Sequence, residues 1–160
     1  MIMIGVVSDT HVPTRALAVS QQILTAFEAV DMILHCGDIT VLSVLDKLNT
    51  IAPVYAVAGN MDSGEIKRFV PEKRVVVAGN KRIGVIHGAG VPFGIKKRII
   101  KAFAEDNVDC IVYGHTHHAD VDIVQDTLLF NPGSASDDHG SFGLLFIDDN
   151  DRLDTKIIYL

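Results

Sequence analysis

Five short apolar runs, each closed by a residue able to bind a cation, constrain this sequence more than any other feature. Ile2-Met3-Ile4-Gly5-Val6-Val7 leads into Ser8-Asp9-Thr10-His11. Asp31-Met32-Ile33-Leu34-His35-Cys36 leads into Gly37-Asp38, and Val54-Tyr55-Ala56-Val57-Ala58 into Gly59-Asn60. Arg82-Ile83-Gly84-Val85-Ile86 leads into His87-Gly88, and Asp109-Cys110-Ile111-Val112-Tyr113 into Gly114-His115-Thr116-His117. Runs of this length and character read as buried strands. In open α/β sheets, ligands sit in the crevice at the carboxyl ends of the strands. A single polar strand end is ordinary loop chemistry. Five in one small chain point to one shared site.

The intervening segments carry helical spacing. Leu17, Ile23, Leu24, Phe27 and Val30 mark a helix within residues 16–29, with Ser20 as a cap. Val41 to Leu48 predicts a second helix, capped by Thr40. Residues 62–70 are polar and read as irregular or one helical turn. Val75 to Ala78 and Ile83 to Ile86 flank Gly79-Asn80 as a hairpin. Pro92 to Ala104 predicts a third helix with Phe93, Ile99, Ile100 and Phe103 on its apolar stripe. Lys96, Lys97, Arg98 and Lys101 fall mainly on its other face, read as solvated. Ala119–Val124, Leu128–Phe130, Gly143–Ile147 and Leu153–Tyr159 read as strands, with Asn131-Pro132-Gly133-Ser134 a turn. Alternation of helix and strand, followed by a run of strands, predicts two packed sheets with helices outside.

The chain has 160 residues, which suits a single domain over residues 1–160. At 48% hydrophobic it is too apolar to be disordered. A formal net charge of −6 argues against broad nucleic-acid binding, which needs a basic face. It leaves a small anionic substrate open, because bound cations reverse local charge. Cys36 and Cys110 lie inside strand patterns and read as buried, reduced thiols. No apolar run approaches ~18 residues, and the first apolar stretch lacks a basic leader, so no membrane partner and a cytoplasmic location are expected.

The strand ends supply Asp9, His11, Asp38, Asn60, His87, His115 and His117. One tetrahedral ion needs only about four donors. Seven suit two ions sharing a bridging carboxylate, as in two-metal hydrolytic sites. All seven donors are oxygen or nitrogen. That favours manganese, iron, zinc, cobalt or nickel over a cysteine-bound structural zinc.

Asp9-Thr10-His11, Gly37-Asp38, Gly59-Asn60, His87 and Gly114-His115-Thr116-His117, in this order, resemble the calcineurin-like metallophosphoesterases, and in particular their small bacterial and archaeal phosphodiesterases. The resemblance runs from Ile2 to about Ser134 and includes the Asn131–Ser134 turn. It implies a four-layer αββα sandwich of two mixed sheets. It also implies two divalent metals per chain, manganese first, and a small phosphoester substrate. Asp9, His11, Asp38 and His117 would hold one ion, and Asp38, Asn60, His87 and His115 the other, with Asp38 bridging. A hydroxide held between them would attack phosphorus. Asp38, Asn60, Asp62 and His87 would thus carry the catalysis.

Two positions depart from relatives. Met61 stands where larger members place a proton-donating histidine, and Ala89 where many small members have the second histidine of His-Gly-His. Asp62 matches a supporting acid of the family that orients a ligand. Arg15 is a candidate phosphate grip alongside Asn60, with an exposed loop arginine as the equal alternative. His35 is expected in the core or behind the ligands; His118 and His139 are expected at the surface. Phosphomonoesterase and dinucleoside-polyphosphate hydrolase remain alternatives on the same metals. So does a protein-interaction scaffold of the same fold, as in a eukaryotic retromer subunit whose metal ligands are degraded. A homo-oligomer also stays open.

Overall fold

The computed structural model describes residues 1–160. The first three apolar runs form parallel strands: β1 (Ile2–Val7), β2 (Met32–His35) and β3 (Val54–Ala56). Two late strands, β9 (Ser141–Ile147) and β10 (Leu153–Tyr159), add antiparallel on the free edge of β1, giving the order β10-β9-β1-β2-β3. The second sheet has the order β4-β5-β6-β8-β7. Its strands are β4 (Lys73–Ala78), β5 (Lys81–Ile86), β6 (Cys110–Val112), β7 (Asp120–Val124) and β8 (Thr127–Asn131). β5, β6 and β8 run parallel, while β4 and β7 are antiparallel edges. The hairpin expected around Gly79-Asn80 is β4–β5, with Val76 opposite Ile83.

Three apolar layers join four structural ones. Ile4, Val6 and Leu34 of the first sheet meet Ile83, Val85 and Phe130 of the second between the sheets. Helices α1 (Gln21–Phe27) and α2 (Ser43–Asn49) cover the outer face of the first sheet through Ile23, Phe27, Val44 and Leu48. Helix α4 (Ile95–Ala102) covers the second sheet through Ile95 and Ile99 against Ile111 and Leu129. A single turn, α3 (Ile66–Phe69), follows β3. This is the αββα sandwich, and because β1, β2 and β6 are covered on both faces they read as unbroken apolar runs. Cys36 and Cys110 are buried free thiols in the inter-sheet layer, where desolvation pushes both upward in pKa. No helix is long and apolar enough to cross a membrane.

Helix starts differ from the sequence expectation. Ser20 does cap α1, accepting from the Gln22 N–H at 3.2 Å, but Leu17 lies outside the helix and is 94% exposed. Thr40 does not cap α2. The helix begins at Ser43 without a side-chain cap, and Thr40 sits at φ 70°, its hydroxyl donating to the Val12 carbonyl. The third helix starts at Ile95, not Pro92. Gly88, Gly90 and Gly94 all take positive φ, so the chain spends residues 88–94 on a loop before it can turn helical. Phe93 is therefore 92% exposed and not part of the apolar stripe. The basic face of α4 is not simply solvated. Lys96 pairs with Asp120 and Asp122 at 2.8 Å, and Arg98 is bound to loop carbonyls.

Candidate metal centre

The five strand ends meet on one rim, and their backbones are held in unusual shapes there. Asp9, His11, Asp38, His115 and His117 all have positive φ, between 43° and 71°. A residue with a Cβ pays about 1–2 kcal/mol for that region. Five such residues among seven candidate ligands is strain concentrated at a functional site. Two glycines let the strand ends come close enough. A Cβ on Gly59 would lie 2.1 Å from Asp38 Oδ1, and one on Gly114 would lie 1.9 Å from Ser8 Oγ and 2.8 Å from Asp9 Oδ2.

All seven residues converge. His11 Nε2 lies 3.7 Å from Asp9 Oδ1 and 3.5 Å from Asp38 Oδ2. His117 Nε2 is 3.2 Å from Asp9 Oδ1. Asp38 Oδ2 is also 3.3 Å from His87 Nε2, so one oxygen stands between the His11 and His87 rings. Asn60 Oδ1 is 3.0 Å from both His87 Nε2 and His115 Nδ1. Two groups of donor atoms, Asp9/His11/His117 and Asp9/Asp38/His87, each lie within 4.8 Å of one another.

The backing of each imidazole sets which nitrogen faces inward. His87 Nδ1 lies 2.7 Å from the Cys36 carbonyl, which only accepts; in the neutral ring the proton is therefore on Nδ1, and the Nε2 lone pair faces the carboxylates. By the same argument His115 Nε2 donates to the Gly90 carbonyl at 2.6 Å and turns Nδ1 toward Asn60. His117 Nδ1 lies 3.1 Å from Asp137 Oδ2 and turns Nε2 toward Asp9. Such backing is what metal-binding histidines need. Ser8 Oγ donates to Asp9 Oδ2 at 2.6 Å. Asn131 Nδ2 donates to the Gly114 carbonyl and to Thr116 Oγ1, each at 3.0 Å, fixing the loop that carries His115 and His117.

Electrostatics leave this pocket short of positive charge. Burial opposes the ionisation of Asp9, yet the facing His11, His117 and His87 rings and the Ser8 hydroxyl hold its carboxyl far below the usual carboxylate range. Burial works against Asp38 too, and His87 with the Met61 N–H lowers it overall. For His87 desolvation is outweighed by Asp38 and Asp9, so its imidazole is held above the ordinary histidine range; His117 is raised chiefly by Asp9. Two buried polar atoms, Asp9 Oδ1 and His11 Nε2, have no hydrogen-bond partner at all. Buried polar atoms are almost always satisfied. An oxygen and a nitrogen orphaned on facing side chains, inside an O/N donor set without thiolate, fit a divalent cation.

The remaining candidates take supporting or outlying positions. Asp62 is buried, and its two oxygens accept from the Gly59 and Thr40 N–H groups at 2.7 Å each, so it braces the loop before Asn60. Arg15 Nη1 sits 3.4 Å from His117 Nδ1 and 3.5 Å from Asp137 Oδ1, at the outer edge of the cluster. His35 is fully buried behind Asp38. His118 and His139 are exposed, and neither side chain makes a hydrogen bond or ion pair. Asp137, Ser8 and the Gly90 carbonyl are functional partners that sequence reading misses. Asp137 and Gly90 lie far along the chain from the rings they hold, and Ser8 is an ordinary strand-end serine without the fold.

A family model described as the calcineurin-like phosphoesterase superfamily domain matches residues 2–150. A protein named "Probable metallophosphoesterase" from Methanocaldococcus jannaschii is 37% identical over 158 residues, covering 98% of this chain and 80% of that one. A Thermotoga maritima protein solved in solution has 29% identity, covers 100% of both chains and superposes with a TM-score of 0.80. Wild-type Vps29 from Entamoeba histolytica, crystallised with zinc, has 26% identity over 99% of each chain and a TM-score of 0.78.

Proposed function

This chain belongs to the calcineurin-like phosphoesterase superfamily, and on that premise we propose that it hydrolyses phosphodiesters at a pair of divalent metal ions. The observation that carries the two-metal reading is the convergence of seven O/N donors, with Asp9 Oδ1 and His11 Nε2 left without partners among them. Asp9, His11, Asp38 and His117 hold one ion in this reading, and Asp38, Asn60, His87 and His115 the other. When bound, such a pair supplies a water of lowered pKa and neutralises charge on the phosphoryl oxygens. Manganese is the first candidate, with nickel, cobalt, iron and zinc as alternatives.

The side chains divide the remaining work. Asp38 places one carboxylate oxygen between the His11 and His87 rings and offsets the repulsion of two close cations. Asn60 turns its oxygen toward His87 and His115, which leaves its amide N–H groups to bind a phosphoryl oxygen. His87 holds its Nε2 lone pair inward through Cys36. Asp62 keeps the Asn60 loop in place. Arg15 stands where it can reach a substrate oxygen, but it shares its charge with Asp137. An arginine already facing a carboxylate adds less net attraction for a dianionic monoester, and that supports the diester preference.

The test is reconstitution with manganese, elemental analysis, and a comparison of aryl diesters with aryl monoesters. About two ions per chain and faster diester cleavage are expected. Asp38→Asn should reduce metal at both sites and abolish turnover, because an amide cannot balance two cations. One ion or fewer per chain in the unmodified protein, or full activity in Asp38→Asn, would sink the two-metal assignment. A preference for monoesters would sink the diester one.

A further inference from the structure

Beside the metal cluster lies a cavity of about 440 Å³. Asn60 and His87, two of the seven donors, form part of its wall, so the cavity opens directly off the cluster. Its apolar surface begins at the neighbouring chain positions: Ala58 precedes Gly59-Asn60, and Ile86 precedes His87. Ile99 and Ala102 of α4 complete it.

Three charged residues line the cavity, and none of them makes an anion site. The Arg98 donors are spent on the carbonyls of Ala89, Val91 and Phe93, so this side chain stiffens the wall. Lys67 and Glu72 make no side-chain hydrogen bond or ion pair and bring one charge of each sign. Arg98 and Lys67 against Glu72 leave one net positive charge, but all three are exposed, so the charge lies at the solvent edge of a lining that is otherwise apolar beyond Asn60 and His87. Small-molecule sites of roughly 300–1,000 Å³ have this character.

We propose that this cavity receives one organic arm of the phosphodiester, and that the arm it selects is a flat, uncharged ring. The inference rests on the phosphodiesterase reading above. With phosphorus at Asn60 and His87, a ring attached through one ester oxygen lies against Ile86, Ile99 and Ala102. A methyl group leaves that surface wet, and a charged substituent seated against Ile86, Ile99 and Ala102 loses hydration there, because Lys67 and Glu72 stand only at the exposed edge.

The experiment is calorimetric binding of phenylphosphonate and methylphosphonate to the manganese-reconstituted protein. Both probes share the phosphoryl head and carry a carbon–phosphorus bond that resists hydrolysis. Phenylphosphonate should bind at least about tenfold tighter, the worth of a modest apolar contact. Ala102→Phe fills the cavity from the helix side and Ala89→Leu from the loop side, and either should bring the phenyl-to-methyl ratio toward unity. Ala89→Leu decides the matter should Ala102→Phe fail to fold. Equal binding of the two probes by the unmodified protein overturns the cavity assignment while leaving the phosphoesterase reading intact. A phenyl preference that survives in both filled variants overturns it as well. Failure of both phosphonates to bind overturns the phosphoesterase reading and this proposal with it.

Discussion

His35 shows how much a single side chain behind the site can decide. Both of its nitrogens are satisfied in only one charge state. Nδ1 accepts from the Gly37 N–H at 3.2 Å, so the ring proton is on Nε2, which donates to Thr10 Oγ1 at 3.1 Å. Thr10 in turn faces the carbonyls of Asp38 and Ile39. A neutral His35 therefore props the turn that presents Asp38, and a second proton would break the Gly37 bond. Full burial lowers its pKa from 6.5 to about 4, with the Asp9 and Asp38 charges opposing that shift. The sign follows from the depressed value. Below pH 6.5 the unfolded chain takes up a proton that the folded chain refuses, so stability falls as pH drops from 6.5 toward 4. His87 and His117 are shifted upward and act in the opposite sense: their stabilisation is complete below the ordinary histidine value and fades as pH rises through the raised one. The His35 contribution is thus isolated by difference against His35→Gln, whose amide also offers one acceptor and one donor. Urea unfolding of the chelator-treated proteins should show the wild type losing about 3 kcal/mol more than the variant across this window. Parallel pH profiles would mean that His35 is not held neutral.

At the scale of elements, the loop between β5 and α4 links the helix to the cluster of candidate ligands. Arg98 of α4 donates to the carbonyls of Ala89 at 3.0 Å, Phe93 at 2.9 Å and Val91, clamping a segment whose glycines would otherwise let it wander. The clamped Gly90 carbonyl is the group that receives His115 Nε2. Arg98→Met should therefore release the loop and weaken metal binding at the Asn60/His87/His115 side. Loss of such backing typically costs about 10–100-fold in metal affinity. Arg98→Lys keeps the charge but not the three-pronged geometry and should fall between the two. A competitive chelator titration checks this, and equal affinities for all three proteins would remove Arg98 from the account. This loop also shows where sequence reading stops. The five strands and the convergence of the donors at their ends were legible because burial on both faces forces unbroken apolar runs and because four histidines at strand ends have no structural purpose. The Ser20 cap was legible because its partner is two residues away. Thr40 and Pro92 misled because each matches a local cap pattern while its backbone answers to distant groups, Val12 and Asp62 for Thr40 and the left-handed glycines for Pro92. Arg98 and Asp137 had no local signal, since the groups they hold are fixed only by the folded chain.

For the whole molecule, the stacking of two sheets brings the carboxyl ends of β1, β2 and β3 from one and of β5 and β6 from the other to a single rim, and what that rim lacks bears on the reaction. Every backed imidazole of the cluster has spent its proton outward: His87 on Cys36, His115 on Gly90, His117 on Asp137. Asp62 has both oxygens bound to backbone N–H groups. Met61 is 61% exposed at the rim where a proton-donating histidine stands in larger relatives, and Ala89 offers only a methyl group. None of these side chains is thus placed to protonate the departing ester oxygen. A positioned acid typically contributes about 10²–10⁴-fold. Without one, the leaving group departs as an anion, which phenolates tolerate and alkoxides do not. Aryl phosphodiesters should be cut far faster than alkyl ones, including ordinary nucleic-acid diesters. The measurement is the logarithm of kcat/KM against leaving-group pKa over a series of aryl diesters at fixed metal and pH. A steep negative slope is expected. Met61→His should flatten it once the new imidazole reaches the ester oxygen, with the largest gain for the poorest leaving groups. A flat slope in the unmodified protein, with chemistry rate-limiting, would show that another group supplies the proton. His139, exposed and without a hydrogen-bond partner, would then be the first side chain to replace.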